Sequence, residues 1–181
     1  RMRLDQFDAS VGLDRGRSKL TELLWYLCKM VFFLTSFPWP QRIKHGILKL
    51  FGAQVGVGVV IKPRVNIHLP WKLELGDHCW IGEECFILNF EKVTVGKHAC
   101  LSQRTMLCGG NHNFRSPTFE YRNGPIDIGD GAWLGAQSIV APNVTLGVDC
   151  VVIAGSKVFK SLPQGMICGG DPCEPKSRRW T

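Results

Sequence analysis

Residues 126–160 read IDIGDGAWLGAQSIVAPNVTLGVDCVVIAGSKVFK. An aliphatic side chain returns at every sixth residue: Ile128, Leu134, Val140, Leu146, Val152 and Val158. Gly follows it at 129, 135 and 147, and four positions after it stands a small or short residue, Ala132, Ser138, Val144, Cys150 or Ser156. Neither an alternating strand nor an amphipathic helix has this period. The spacing predicts short flat strands joined by turns. The aliphatic residue points inward, and so does the residue four later, near a corner where only a small side chain fits. Gly at the turn permits backbone angles or close approaches that other residues resist.

The same pattern runs upstream. Val55, Ile61 and Ile67 are followed by Leu75, Ile81 and Ile87, then by Val95, Leu101 and Leu107. Their small partners include Val59, Val65, Cys79, Cys85, Ala99 and Thr105. Three hexads make one triangular coil. Two extra residues after 67 and again after 87 stretch the first coils to a 20-residue repeat. Stacked at the strand spacing, five coils give a prism about 24 Å tall. The fold class is therefore an all-β solenoid, a parallel β-helix of about five triangular coils over 55–160, with an N-terminal arm at 1–54 and an irregular tail at 161–181.

The repeat breaks once. Leu107 and Ile128 are 21 residues apart, where about six to eight would suffice. The excursion, 108–125, reads CGGNHNFRSPTFEYRNGP and carries His112. Long excursions from compact solenoids are commonly functional, and a histidine suits general-base work near neutral pH. A loop histidine with no role is the plainer alternative.

The chain has 181 residues and a net charge of +7, with 45% apolar and 20% charged residues. The excess charge lies in residues 1–52, which hold nine Lys/Arg against four Asp/Glu, while residues 126–181 balance. That distribution argues against a nucleic-acid stripe along the chain. The eight Cys form no C-x-x-C pair, so zinc ribbons and thioredoxin motifs are not expected, and the Cys read as core fillers of a reducing cytosol. Arg1 to Arg17 contains no apolar run and is not read as a signal peptide.

Residues 1–19 are polar and expected to be irregular. Leu20 to Phe37, LTELLWYLCKMVFFLTSF, is apolar on nearly every side and expected to be helical until Pro38 and Pro40 stop it. It packs on the protein, lies on a membrane surface, or spans; Lys29 near its middle makes spanning costly. Gln41 to Phe51 reads as a short amphipathic helix with Gly52 as its C-cap.

The run from Ile128 to Pro172, with Asn111-His112 before it, resembles the hexapeptide acyltransferases of the maltose/galactoside O-acetyltransferase group. RSKLTELLWYL, LFGAQVGVGVVIKPRVNI, PWKLELGDHCWIGEECFI and CGGNHNFRSPTF resemble the colanic-acid exopolysaccharide acetyltransferases, so the similarity covers about residues 15–175. The resemblance implies a left-handed coil, against the usual handedness of parallel crossovers. It implies a sugar O-acetyltransferase using acetyl-CoA and no metal, assembled as a homotrimer with sites between subunits. His112 matches the catalytic base. Asn89 matches an acceptor-binding residue, and Asn111, beside the base, is a second acceptor-binding candidate. Trp133 and Ala136 match the acyl-thioester tunnel, the backbone N–H of Ala136 facing the oxyanion. Ala154, Gly155 and Lys160 match the pantetheine and phosphate segment, and Arg178 or Arg179 is a further phosphate candidate. Three departures are Asn113, where many relatives have Asp, Gly170-Asp171-Pro172, and Phe159-Lys160-Ser161. The first leaves the group that orients His112 unassigned.

Other functions use the same scaffold. The γ-class carbonic anhydrases hold zinc on three histidines, and His78 and His98 stack 20 residues apart. A repeated turn residue explains that pair more simply. A xenobiotic O-acetyltransferase would differ only in its acceptor pocket, and a non-catalytic scaffold would not need the His112 loop. The expected location is the cytoplasm, free or peripheral at the inner membrane face, with a polysaccharide or lipid-linked oligosaccharide precursor as acceptor.

Overall fold

The computed structural model describes residues 1–180. The arm holds α1 (Lys19–Phe32) and α2 (Gln41–Leu50). The coils then follow one another. The first has β1 (Gln54–Val55), β2 (Val60–Ile61) and β3 (Asn66–Ile67). The second has β4 (Leu73–Leu75), β5 (Trp80–Ile81) and β6 (Phe86–Leu88), and the third β7 (Val93–Val95), β8 (Cys100–Leu101) and β9 (Met106–Cys108). The fourth has β10 (Ile126–Ile128), β11 (Trp133–Leu134) and β12 (Ile139–Val140), and the fifth β13 (Val144–Leu146), β14 (Val151–Val152) and β15 (Lys157–Val158). β16 (Met166–Gly169) and β17 (Glu174–Arg178) close the chain.

Corresponding strands of successive coils pair in parallel, making three sheets around one core. Ile61, Ile81, Leu101, Leu134 and Val152 stack up the second face, each at most 1% exposed. The small partners, Cys79, Cys85, Ala99, Ala132 and Cys150, are equally buried. All eight cysteines are free. Burial pushes the Cys79 and Cys150 thiols up to about 12, so these groups stay protonated and inert. The glycines after the aliphatic residues serve close approach rather than unusual angles. A Cβ on Gly76 would lie 2.6 Å from the Lys97 nitrogen of the next coil. The left-handed backbone falls two residues later, at His78 and His98 among others, with φ of 57° and 56°.

The tail departs from the irregular one expected. Leu162 bridges Leu146, β16 runs parallel to β14, and β17 turns back antiparallel on β16. The second face thus carries seven strands where the other two carry five. Leu162 and Cys168 pair 16 residues after Leu146 and Val152, so the partial sixth coil falls out of the six-residue period.

The opposite end is closed by the arm. With no coil below it, β2 would expose unpaired backbone. Lys44 Nζ donates to the carbonyls of Ile61 at 2.9 Å and Lys62 at 3.2 Å, and Gln41 both donates to and accepts from the Ile61 backbone. Trp25 Nε1 donates to the carbonyls of Ile67 and His68. α1 stops five residues before the expected end. The N–H groups of Phe33 and Leu34 both reach Lys29 O, turning Phe33 inward to pack on Trp25 with ring centroids 5.3 Å apart. No described helix is long and apolar enough to cross a membrane.

His68 lies under this arm, edge-on to Phe90. Burial first, then the cations Lys29 and Arg15, push it down to about 4 from an ordinary 6.5. The unfolded chain therefore binds the extra proton between these values, and stability is full above pH about 6.5 and lost as pH falls towards 4. Screening at this half-buried site limits the effect to on the order of 1–2 kcal/mol. Urea midpoints measured from pH 7 to 4 should fall for the wild type and fall less steeply for His68→Gln.

Candidate active site

The excursion leaves and rejoins the prism at one corner. β10 pairs directly with β7, Ile126 beside Val93, so the ladder passes the loop without interruption. Gly109 N–H donates to Leu88 O, and Gly124 N–H to Gly109 O, at 2.9 and 3.0 Å. Gly110 is required at the neck, because a Cβ there would stand 2.6 Å from the Phe90 ring. Beyond it the loop folds on itself. His112 and Tyr121 form an antiparallel bridge, flanked by Arg122 N–H to Asn111 O and Asn113 N–H to Glu120 O. The Glu120 carboxylate accepts from Thr118 Oγ1 at 2.7 Å and from Asn113 Nδ2 at 2.8 Å. Hydrogen bonds from Ser116, Thr118 and Asn113 hold its carboxyl down to about 2.

This frame orients His112. Its Nδ1 lies 2.7 Å from Phe119 O. A carbonyl only accepts, so Nδ1 is the donor, and in the neutral ring Nε2 then has the lone pair. The imidazole stacks on the Phe119 ring at 4.3 Å and 2° between planes, with Tyr121 at 4.9 Å. Phe119 reaches this position through a left-handed backbone, φ 52°. Asn113 braces Glu120 instead of touching the imidazole.

Phe7 completes the enclosure. Its ring meets His112 edge-on at 5.3 Å and Tyr121 at 5.2 Å, while Arg3 N–H donates to Pro117 O. The irregular N-terminal segment is thus pinned across the loop. Nothing in a polar stretch of sequence marks that contact. The density of Phe114, Phe119 and Tyr121 in the loop was the one available sign.

The other expected site residues fall elsewhere. Asn89 pairs with backbone. It is 0% exposed, and its amide accepts from Leu69 N–H and donates to Leu69 O. The side chain thereby stands in for a backbone ladder where the short helical turn Pro70–Lys72 interrupts the coil. Asn111 Oδ1 accepts from His112 N–H, a local brace. Trp133 is 48% exposed on the second face, its Nε1 donating to Ser102 Oγ. Ala136 and Gly155 lie on the edge between the second and third faces, Gly155 N–H donating to Ala136 O, with Ala154 beside them. The N–H of Ala136 has no acceptor among the described residues. Lys160 is exposed past β15, and Arg178 is exposed on β17. Arg179 is tied down, donating to Gly131 O and Asp149 O. His112 stands past the third face, on the edge where the chain returns to the first. Within one chain the Ala136 edge and His112 are therefore separated by the width of that face. His78 and His98 stack at 5.2 Å as repeated left-handed turn residues. No group of three metal-ligating side chains occurs among the described residues.

No protein-family model matches the chain. Over 158 residues it is 40% identical to WcaF of Escherichia coli strain K12, named as a colanic acid biosynthesis acetyltransferase, covering 87% of both chains. The chain belongs to this family of hexapeptide-repeat acetyltransferases. The acetyltransferase superposes on a maltose O-acetyltransferase from Clostridium difficile 630 with a TM-score of 0.80 and 20% identity, covering 89% of each chain. Its likeness to a galactoside acetyltransferase solved with coenzyme A has a TM-score of 0.81 at 22% identity, over 99% of this chain and 92% of that one. Likeness at these identities concerns the fold, the left-handed parallel β-helix.

In this acetyltransferase Phe7→Ala removes one wall around His112 without touching the prism core. We expect kcat/KM for acetyl transfer to fall by roughly tenfold through misplacement of the ring, with the thermal midpoint nearly unchanged. Full activity in that variant would show the contact to be incidental.

Proposed function

We propose that this acetyltransferase moves the acetyl group of acetyl-CoA to a sugar hydroxyl of a polysaccharide or lipid-linked oligosaccharide precursor, with His112 as general base. The observation that carries the reading is the His112 Nδ1 contact with Phe119 O at 2.7 Å. It fixes the neutral tautomer whose Nε2 can take a proton. The relatives' names point the same way, since they concern colanic acid, maltose and galactosides, and one was solved with coenzyme A.

Acetyl-CoA supplies the acetyl group as an activated thioester. His112 Nε2 takes the proton of the acceptor hydroxyl as its oxygen attacks, and returns it to the departing thiolate. The Ala136 N–H, without an acceptor among the described residues, is suited to the negative charge developing on the acetyl oxygen. Trp133, Ala154 and Gly155 offer an open wall for the pantetheine arm, and Lys160 and Arg178 offer exposed cations for its phosphates. His112 and Ala136 meet only if a second copy brings its own edge to this one. A homotrimer with its sites between subunits satisfies that requirement.

A thiol-release assay with acetyl-CoA across free and undecaprenyl-linked sugars tests the reaction. His112→Ala should lower turnover by roughly 10²–10⁴-fold while leaving acetyl-CoA binding nearly intact. Wild-type-like turnover in that variant would remove His112 from the mechanism. Sedimentation of the full chain should give three copies, and a fully active monomer would contradict shared sites.

A further inference from the structure

α1 presents two opposed faces. Trp25 and Lys29 point to the prism and are 2% and 7% exposed. On the other side Leu20, Leu23, Leu24, Leu27, Met30 and Val31 form one helical stripe, each between 49% and 65% exposed. Contiguous exposed apolar surface of this kind marks an interaction site.

The charge of the arm indicates the occupant. Lys19 begins the helix, exposed, one turn before Leu23. The arm carries nine Lys/Arg against four Asp/Glu, and two of those acids are already paired, Asp5 with Arg3 and Glu22 with Arg15. Lys19, Arg42 and Lys49 are exposed without a carboxylate partner among the described residues. At the end of the helix Trp39 packs between Phe32 and Phe37, its Nε1 donating to Val31 O. An apolar stripe, a cationic arm and an aromatic end together match helices that lie in a lipid interface.

We propose that the exposed face of α1 docks this protein on an anionic bilayer surface, lying in the interface without crossing it. The placement serves the chemistry. The inner face of α1 bonds to the carbonyls of Ile67 and His68 at the corner past β3, and the His112 loop leaves that corner two coils on. A chain of ring contacts joins them, His68 to Phe90 at 4.7 Å, Phe90 to Tyr121 at 6.2 Å and Tyr121 to His112 at 4.9 Å. If the acceptor is lipid-linked, which rests on the reading above, the docked helix holds His112 beside the surface that carries it.

Flotation of the full chain with phosphatidylcholine vesicles, with and without phosphatidylglycerol, tests the docking. The wild type should float with the anionic vesicles and less so at high salt. Leu23→Asp with Leu27→Asp should weaken partitioning by at least about tenfold. Both positions are exposed, and a milder Leu20→Ser, Leu24→Ser variant guards against misfolding of the first. Acetylation of a free-sugar acceptor should be unchanged in both. Equal flotation of wild type and variants would overturn the proposal. So would a wild type that never floats but whose assembly is broken by the variants, since the stripe would then join copies of this chain. Flotation without transfer to any acceptor would leave the docking intact and refute the sugar acetyltransferase reading instead.

Discussion

Every coil of this prism spends its backbone hydrogen bonds on the coil beside it. Strands of two or three residues have no stability of their own, so the stack must be continuous and its two ends must be closed. That requirement accounts for much that the repeat alone does not. At the start, Gln41 and Lys44 from α2 supply the side-chain donors and acceptor that a missing coil would have supplied. Burial lowers the Lys44 ammonium, and two carbonyls compensate it. In the middle, Asn89 imitates a backbone pair across the interruption at Pro70–Lys72. At the far end the parallel ladder is finished by an antiparallel strand.

The same constraint frees the loop at 109–125. Because β10 takes up the ladder where β7 left it, the excursion carries no structural duty and its shape can serve a site. Its rigidity comes from within, through the Asn113–Glu120 brace, the His112–Tyr121 bridge and stacked rings. The imidazole is held by the backbone carbonyl of Phe119.

The parts legible in the sequence are those where geometry demands a residue type at a fixed interval. A corner that admits only a small side chain selects Cys79, Cys85 and Cys150, and an inward flat strand selects Ile or Leu. The size of the loop follows from the same arithmetic. The tail was hidden because Leu162 and Cys168 come 16 residues after their partners instead of 18. The end of α1 was hidden because prolines marked a stop that tertiary packing of Phe33 had already imposed. The bonds from Asn89 to the Leu69 backbone were hidden because no spacing marks an amide that pairs with a chain 20 residues away.

By itself, then, the sequence determined the coil, its core and the loop that carries His112, because each repeats or breaks a strict period. Only the tertiary structure decided how His112 is oriented, that Phe7 closes over it, and which face of α1 remains uncovered. Those features depend on contacts between residues far apart in the chain, Phe7 with Tyr121 or Trp25 with Ile67. No local spacing encodes such contacts, because they exist only once the prism has brought its corners together.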